Sequence, residues 1–288
     1  MAESSGARSR QGLLSGHRMI AAYAVFGVIL FVMFLVASFP YGQTLSSLLA
    51  PFRLKVAYRG QSLSLPVGAH LHDAKLISLA TPDGETIVQS PDVRLAPTLG
   101  SLFFGRPALS IRAALYGGEV SATIHRTGRI VNVNFDLSTL NLADNPQLRG
   151  LGAVVDGLVS GQGIAQLAGP ALPDNSGAFA LMATGVTIQI GPGYPAVHFG
   201  TVTGKFRLND GTLQIDQLEA HGGDADMKLD GAVQVEPDVR ESAIDARLYL
   251  RPTAEGRHRL GFLFGFLPHP PGARPYHLRG PLIAPSIS

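Results

Sequence analysis

The hydrophobic pattern of this chain changes once, near residue 40. Residues 19–39, MIAAYAVFGVILFVMFLVASF, contain no charge, and only Tyr23 and Ser38, near the two ends, are polar. About 21 such positions suffice for one helix to cross a hydrocarbon core of ~30 Å. Beyond it the pattern alternates with period two, the signature of strands with one apolar and one polar face. Phe52, Leu54, Val56 and Tyr58 alternate with Arg53, Lys55 and Ala57. Arg59-Gly60 then reads as a turn, and alternation resumes at Leu63-Ser64-Leu65.

The same pattern predicts strands around 71–79 and 86–95, broken at Pro82-Asp83-Gly84 and at Ser90-Pro91. Residues 99–104 form a short apolar patch read as a helical turn, and 145–150 as a short helix. Two regions look like copies of one unit, 109–133 and 213–235. Each opens Leu-x-Ile, turns at a glycine pair (Gly117-Gly118, Gly222-Gly223) and carries a second glycine, Gly128 or Gly231. Glycine pairs suit the positive φ of tight hairpin turns. Between the copies, 152–159, 163–168, 178–190, 196–202 and 205–208 fit strands. Residues 173–177, Gly191-Pro192-Gly193 and Asn209-Asp210-Gly211 fit turns. A strand at 242–250 precedes LGFLFGFL, 260–267, which is too short to span a bilayer as a helix and is read as core packing, with a membrane-surface segment as the alternative. The last strand is expected at 276–282. The fold class is therefore all-β: a single N-terminal transmembrane helix followed by one elongated β-domain with one or two short helices, which a family resemblance carried by residues 204–218 implies is a curved antiparallel sheet or groove. The expected division is a cytoplasmic basic tail (1–18), an anchor (19–39) and an exported β-rich domain (40–288), with possible halves 40–144 and 145–288.

Charge and composition set the compartment. Arg8, Arg10 and Arg18 precede the apolar run and the next basic residue is Arg53, which places the N-terminus in the cytoplasm and the body outside it. The alternative is a signal peptide cleaved after Ser38, although cleavable apolar regions are usually shorter. There is no cysteine, so the body folds without disulfides and offers no thiol chemistry. Net charge is +2 with 15% charged residues, too thin a basic surface for nucleic acid.

No constellation in the sequence carries catalysis. His70-Leu71-His72-Asp73 puts two imidazoles on one strand face, but no third metal ligand follows nearby. Gly200-x-x-x-Gly204-Lys205 is one residue short of a phosphate loop, and Phe206 stands where a hydroxyl should be. Ser160 lies outside the nucleophile-elbow spacing, and Gly161-Gln162-Gly163 opens no dinucleotide fingerprint. Asp210, Asp216, Asp224, Asp226 and Asp230 lack a calcium-loop pattern and read as solvated turn carboxylates. Catalytic, cofactor and metal residues are accordingly none, and the chain is read as not an enzyme.

The order of features nevertheless resembles a known family. The anchor runs into Phe39-Pro40-Tyr41-Gly42 and an amphipathic stretch from Gln43 to Leu49. Hairpins follow around Leu115-Tyr116-Gly117-Gly118, then a ladder through Gly211-Thr212-Leu213-Gln214-Ile215 and a close from Gly280 to Ile287. Over nearly its whole length the chain resembles the type II secretion system protein N family. That resemblance implies a single-pass inner-membrane protein with a periplasmic β-domain, an accessory scaffold of protein export whose partners are other secretion-system proteins. The strand-turn-strand run 204–218 also resembles the AsmA and TamB group, which implies a β-groove with an apolar interior that binds or transfers lipid. The lipopolysaccharide-export protein C is similar in outline, with a smaller body. None of these resemblances carries over a site residue.

Overall fold

The computed structural model describes residues 45–46, 49–50, 54–63, 68–79, 85–98, 108–128, 130–145, 148, 154–169, 172–189, 193, 195–236, 242–265, 267–272, 274–282 and 284–288. The basic tail, the apolar run 19–39, the cleavage position, the patch 99–104, the turn Pro82-Asp83-Gly84 and most of 145–150 lie outside the described residues. Among the described residues no helix is long and apolar enough to cross a membrane.

The body is one antiparallel sheet of 15 strands. In chain order they are β1 (Leu54–Ala57), β2 (Gly60–Leu63), β3 (Ala69–Ser78), β4 (Glu85–Pro97), β5 (Ala108–Leu115), β6 (Gly118–Thr127), β7 (Ile130–Asn141), β8 (Val154–Leu167), β9 (Asn175–Gln189), β10 (Val197–Asn209), β11 (Thr212–His221), β12 (Ala225–Gln234), β13 (Ala243–Pro252), β14 (Tyr276–Pro281) and β15 (Ser286–Ile287). From β3 onward each strand pairs with the next, an uninterrupted meander. At ~4.8 Å per strand this sheet is about 60 Å long. Among the described residues the elements between and beside the strands are short 3-10 turns, Leu142–Asp144 and Leu172–Asp174, and a helix, α1 (Ala254–Phe264). β7 and β8 pair on either side of Asn145, so one sheet runs through both expected halves.

Two hairpins are closed by residues with positive φ at both central positions, Tyr116 (48°) with Gly117 (74°) and Asp210 (49°) with Gly211 (74°). Such turns match the right-handed twist of the strands they join. The expected copies do not share this geometry. Gly128 turns the chain between β6 and β7, but Gly231 sits inside β12, where a Cβ would run into Ala246 of β13.

Several expected breaks are strand interiors. Arg59-Gly60 is no hairpin turn: β1 and β2 lie along the same edge of β3 in one register, Ala57 opposite Lys75 and Gly60 opposite His72. β4 runs straight through Ser90-Pro91. Pro91 has no N–H to donate, and the buried Ser90 hydroxyl donates instead, 2.7 Å from Ala114 O. Residues 152–168 hold one strand, β8, and 196–208 one strand, β10, not two each. The turn expected at 173–177 ends at Asp174, since Asn175, Ser176 and Gly177 already pair with β8. Within 260–267, residues 260–264 are the last part of α1, where Leu260 is buried as core packing predicts and Phe262 is exposed, and β15 follows the strand expected to be last.

Candidate functional site

Cross-strand partners in an antiparallel ladder point to the same face, so the registers sort the whole sheet into rows. One row passes through Ala69, Leu95, Ile111, Ala122, Phe135, Gly163, Phe179, Phe206, Ile215, Gly231, Ala246 and Leu278. The next passes through Leu71, Val93, Ala113, Val120, Leu137, Gly161, Leu181, Gly204, Leu218, Leu229, Leu248 and Tyr276. Both cross β3 to β14, about 50 Å at strand spacing, and the only side-chain heteroatom is the Tyr276 hydroxyl, which donates to His269 O at 2.8 Å. A third row is equally apolar from Leu109 through Ile124, Val133, Ala165, Gly177, Leu208, Leu213 and Val233 to Ile244.

The opposite face reads Arg94, Arg112, Ser121, Asp136, Gln162, Ala180, Lys205 and Gln217 across the same strands. A shallow trench of about 790 Å³ crosses it, walled by Arg112, Asp136, Gln162, Lys205, Arg207 and Asp216. Asp216 is the extra residue of a bulge opposite Lys205 and Phe206. Its carboxylate accepts two hydrogen bonds from Arg207, at 2.6 and 2.7 Å, which hold it below the usual carboxylate range.

Packing on the apolar face is uneven. At one end Leu45 packs with Ala69, Leu71, Ala74, Val93 and Leu95 in a closed cluster. Toward the other end lie two more, around Phe199 and Ala220 and around Ile215 and Val233. Leu109, Ile111 and Ala113 of β5 pack against the first cluster, and between the clusters, on β6 to β9, Ala122, Ile124, Phe135, Leu137, Phe179 and Leu181 are only partly buried. Among the described residues no second layer packs on this stretch. Its centre is aromatic: the Phe179 and Phe206 rings stack with centroids 5.0 Å apart, and Phe135 lies 6.5 Å from Phe179. Glycine makes that possible. A Cβ at Gly163 would come 2.5 Å from Phe135 Cζ and 2.6 Å from Phe179 Cβ, so the rings close over a bare backbone.

α1 docks on one rim of the sheet through a buried carboxylate. Asp224, 3% exposed, accepts from the His198 amide at 2.8 Å and from Arg259 at 3.0 Å, while its carbonyl accepts from the Thr253 hydroxyl at 3.0 Å. Asp224 is thus not the solvated turn carboxylate expected.

The other residues singled out by sequence do not converge. His70 and His72 do share a face, with ring centroids 6.4 Å apart, but His70 pairs with Asp92 (3.1 Å) and His72 with Ser62 (3.0 Å). Burial pushes the Asp92 carboxyl up, and hydrogen bonds from His70 and Arg94 more than offset it, leaving it below the usual range. Among the described residues no three His, Asp or Glu side chains could hold a metal ion. Ser160 accepts the Thr139 amide at 3.1 Å. Gly161, Gly163, Gly200, Gly204 and Lys205 are all mid-strand. Asp226 contacts His221 (3.2 Å), Asp230 contacts Arg247 (3.4 Å), and Asp210 is a turn residue. The aromatic ladder escaped sequence reading because Phe135, Phe179 and Phe206 are far apart in the chain and become neighbours only through register. The alternation of each strand was the available signal. No family model, curated protein or solved structure matches this chain.

Proposed function

We propose that this chain is a non-catalytic cell-envelope protein whose apolar sheet face binds lipid acyl chains, tethered at the inner membrane by residues 19–39 with its body in the periplasm. The observation that carries the reading is the central stretch of β6 to β9: a surface without hydrogen-bonding side chains, continuous across strands and only partly buried. Soluble proteins rarely leave so large an apolar surface without a ligand or partner. Hydrocarbon chains demand no hydrogen bonds, and this face offers none. Sheets of more than about ten strands curl; curling with the apolar face inward accounts for its side chains being more sheltered than those of the polar face, and makes a groove. This is the AsmA-like reading of the sequence.

A photo-crosslinking amino acid at Phe179 and another at Ala180 test it, since neighbours on one strand face opposite ways. Crosslinks to phospholipid at 179 and none at 180, in the full chain purified from membranes, are expected. Crosslinks at 179 to protein alone would instead support the type II secretion scaffold. That second reading is favoured by one observation: among the described residues the outer edge of β1 and β2 pairs with no strand, and open edges accept partner strands.

A further inference from the structure

We infer that the acyl-binding surface is a bounded basin, sized for a lipid chain about one membrane leaflet long and closed to longer ones, and is not a track along which lipid runs the length of the sheet. This rests on the acyl-binding reading and sets its limits. Side-chain chemistry alone would permit a track, since the two central rows stay apolar from β3 to β14. Burial does not follow chemistry. In the row through Phe135 and Phe179, Ala69 and Leu95 at the β3 end are buried, and so are Ile215 and Ala246 toward the β14 end, whereas Ala122, Phe135 and Phe179 between them are only partly buried. One apolar row is thus covered, open and covered again.

Each border of the open part has its own residues. On the side of β3 and β4, Leu45 packs with Leu71 and Leu95. On the side of β11 to β13, Ile215, Val233, Ile244 and Ala246 close on one another, with Phe206 and Leu278 packed against them. Beyond that cluster the His269 ring stacks on Tyr276 with centroids 4.2 Å apart, and Tyr276 is 0% exposed. The remaining two borders lie at the strand ends. At one, Ala183, Val186, Phe199 and Ala220 form a buried cluster. At the other, Val131 and Asn175 are buried, and the Asn175 side chain accepts the Ala168 amide at 3.1 Å. Between the Leu45 and Ile215 borders the open part is four strands wide, β6 to β9, or about 19 Å at strand spacing. One leaflet of a ~30 Å hydrocarbon core is about 15 Å deep, so a chain of ordinary membrane length fits lying across the strands. A markedly longer chain meets Leu45 on one side or the Ile215 cluster on the other, and passing either means prising apart packed side chains.

The test sets two chain lengths against each other in one membrane. The full chain, with a photo-crosslinking amino acid at Phe135, is reconstituted in vesicles of equal parts dioleoyl- and dinervonoyl-phosphatidylcholine, two lipids that differ only in acyl-chain length. Crosslinked lipid is identified by mass. At 135 it should be enriched at least threefold in the dioleoyl species over the vesicle composition. The same crosslinker at Leu278, partly buried in the same row beyond the Ile215 cluster, should capture no lipid. Leu45→Ala, which opens one border, should raise the dinervonoyl share at 135. Crosslinks at 135 in the vesicle's own ratio, or lipid captured at 278 as readily as at 135, would overturn the basin and leave acyl binding standing. No lipid of either length at 135 would overturn the acyl-binding reading and the basin with it, so the two failures are told apart.

Discussion

At the scale of single residues, glycine does what a side chain cannot. Gly163 lies in the middle of β8, where glycine ordinarily weakens a strand, because Phe135 and Phe179 occupy the space its Cβ would take. Gly163→Ala should therefore destabilise by about 1–3 kcal/mol, the usual cost of overpacking, despite the better strand propensity of alanine. Gly128→Ala, where nothing lies within 4 Å of a Cβ but φ is +62°, tests backbone strain separately, and urea titration measures both. The carboxylates give a second residue-scale test. Asp92 is held below the ordinary 3.8 by His70 and Arg94 against the opposing effect of burial. A group whose folded pKa is depressed contributes stability above its unfolded pKa and loses it as pH falls through the folded one. The Asp92 contribution should thus be whole at neutral pH and vanish only below about pH 4. NMR titration of its carboxyl carbon should show a midpoint under 3.8, moving upward in His70→Ala.

At the scale of elements, the strands were largely legible and their boundaries were not. Alternation announced β3, β5, β6, β11, β13 and β14, and the Tyr116-Gly117 and Asp210-Gly211 turns came with their glycines. What misled was reading glycine and proline as punctuation. The space at Gly204 is filled by Phe206, two residues along the same strand, but Ser160-Gly161-Gln162 and Ser90-Pro91 look like breaks because the groups that fill or satisfy them, Leu181 and Ala114 O, lie across the sheet. A single sequence carries no register, so those partners are invisible to it. The dock of α1 was hidden for the same reason, since Asp224 and Arg259 are 35 positions apart. This dock is one carboxylate serving a strand amide and a helix guanidinium. Asp224→Ala strands both, and loss of hydrogen bonds to a charged group costs about 1.5–3 kcal/mol. Hydrogen exchange should show faster amides at His198 and along Arg257–Leu260 in that variant, with β5 to β7 unchanged. Uniform acceleration through the sheet would mean that α1 is not a separable element.

At the scale of the whole molecule, the meander gives a sheet in which each strand answers mainly to its two neighbours, so stability accumulates pair by pair and not around one closed core. Such nearest-neighbour assemblies can leave a long face unsatisfied without losing their fold. That makes the openness of the central stretch measurable by stability alone. Leu71, 0% exposed beneath Leu45, and Leu181, half-buried beside Phe179, sit in the same cross-strand row. Leu71→Ala removes a buried side chain and should cost about 2–5 kcal/mol. Leu181→Ala removes one that already meets solvent and should cost about 1 kcal/mol, a fraction of the 1.5–3 kcal/mol for full burial. Adding phospholipid should widen the cost at 181 and leave that at 71 unchanged, because a ligand that binds only the folded sheet stabilises it by mass action, and the substitution at 181 alone weakens that binding. Equal costs at the two sites without lipid would show that the central face is closed in solution. The acyl-binding reading would then lose the exposed surface on which it rests, and the scaffold reading would take its place.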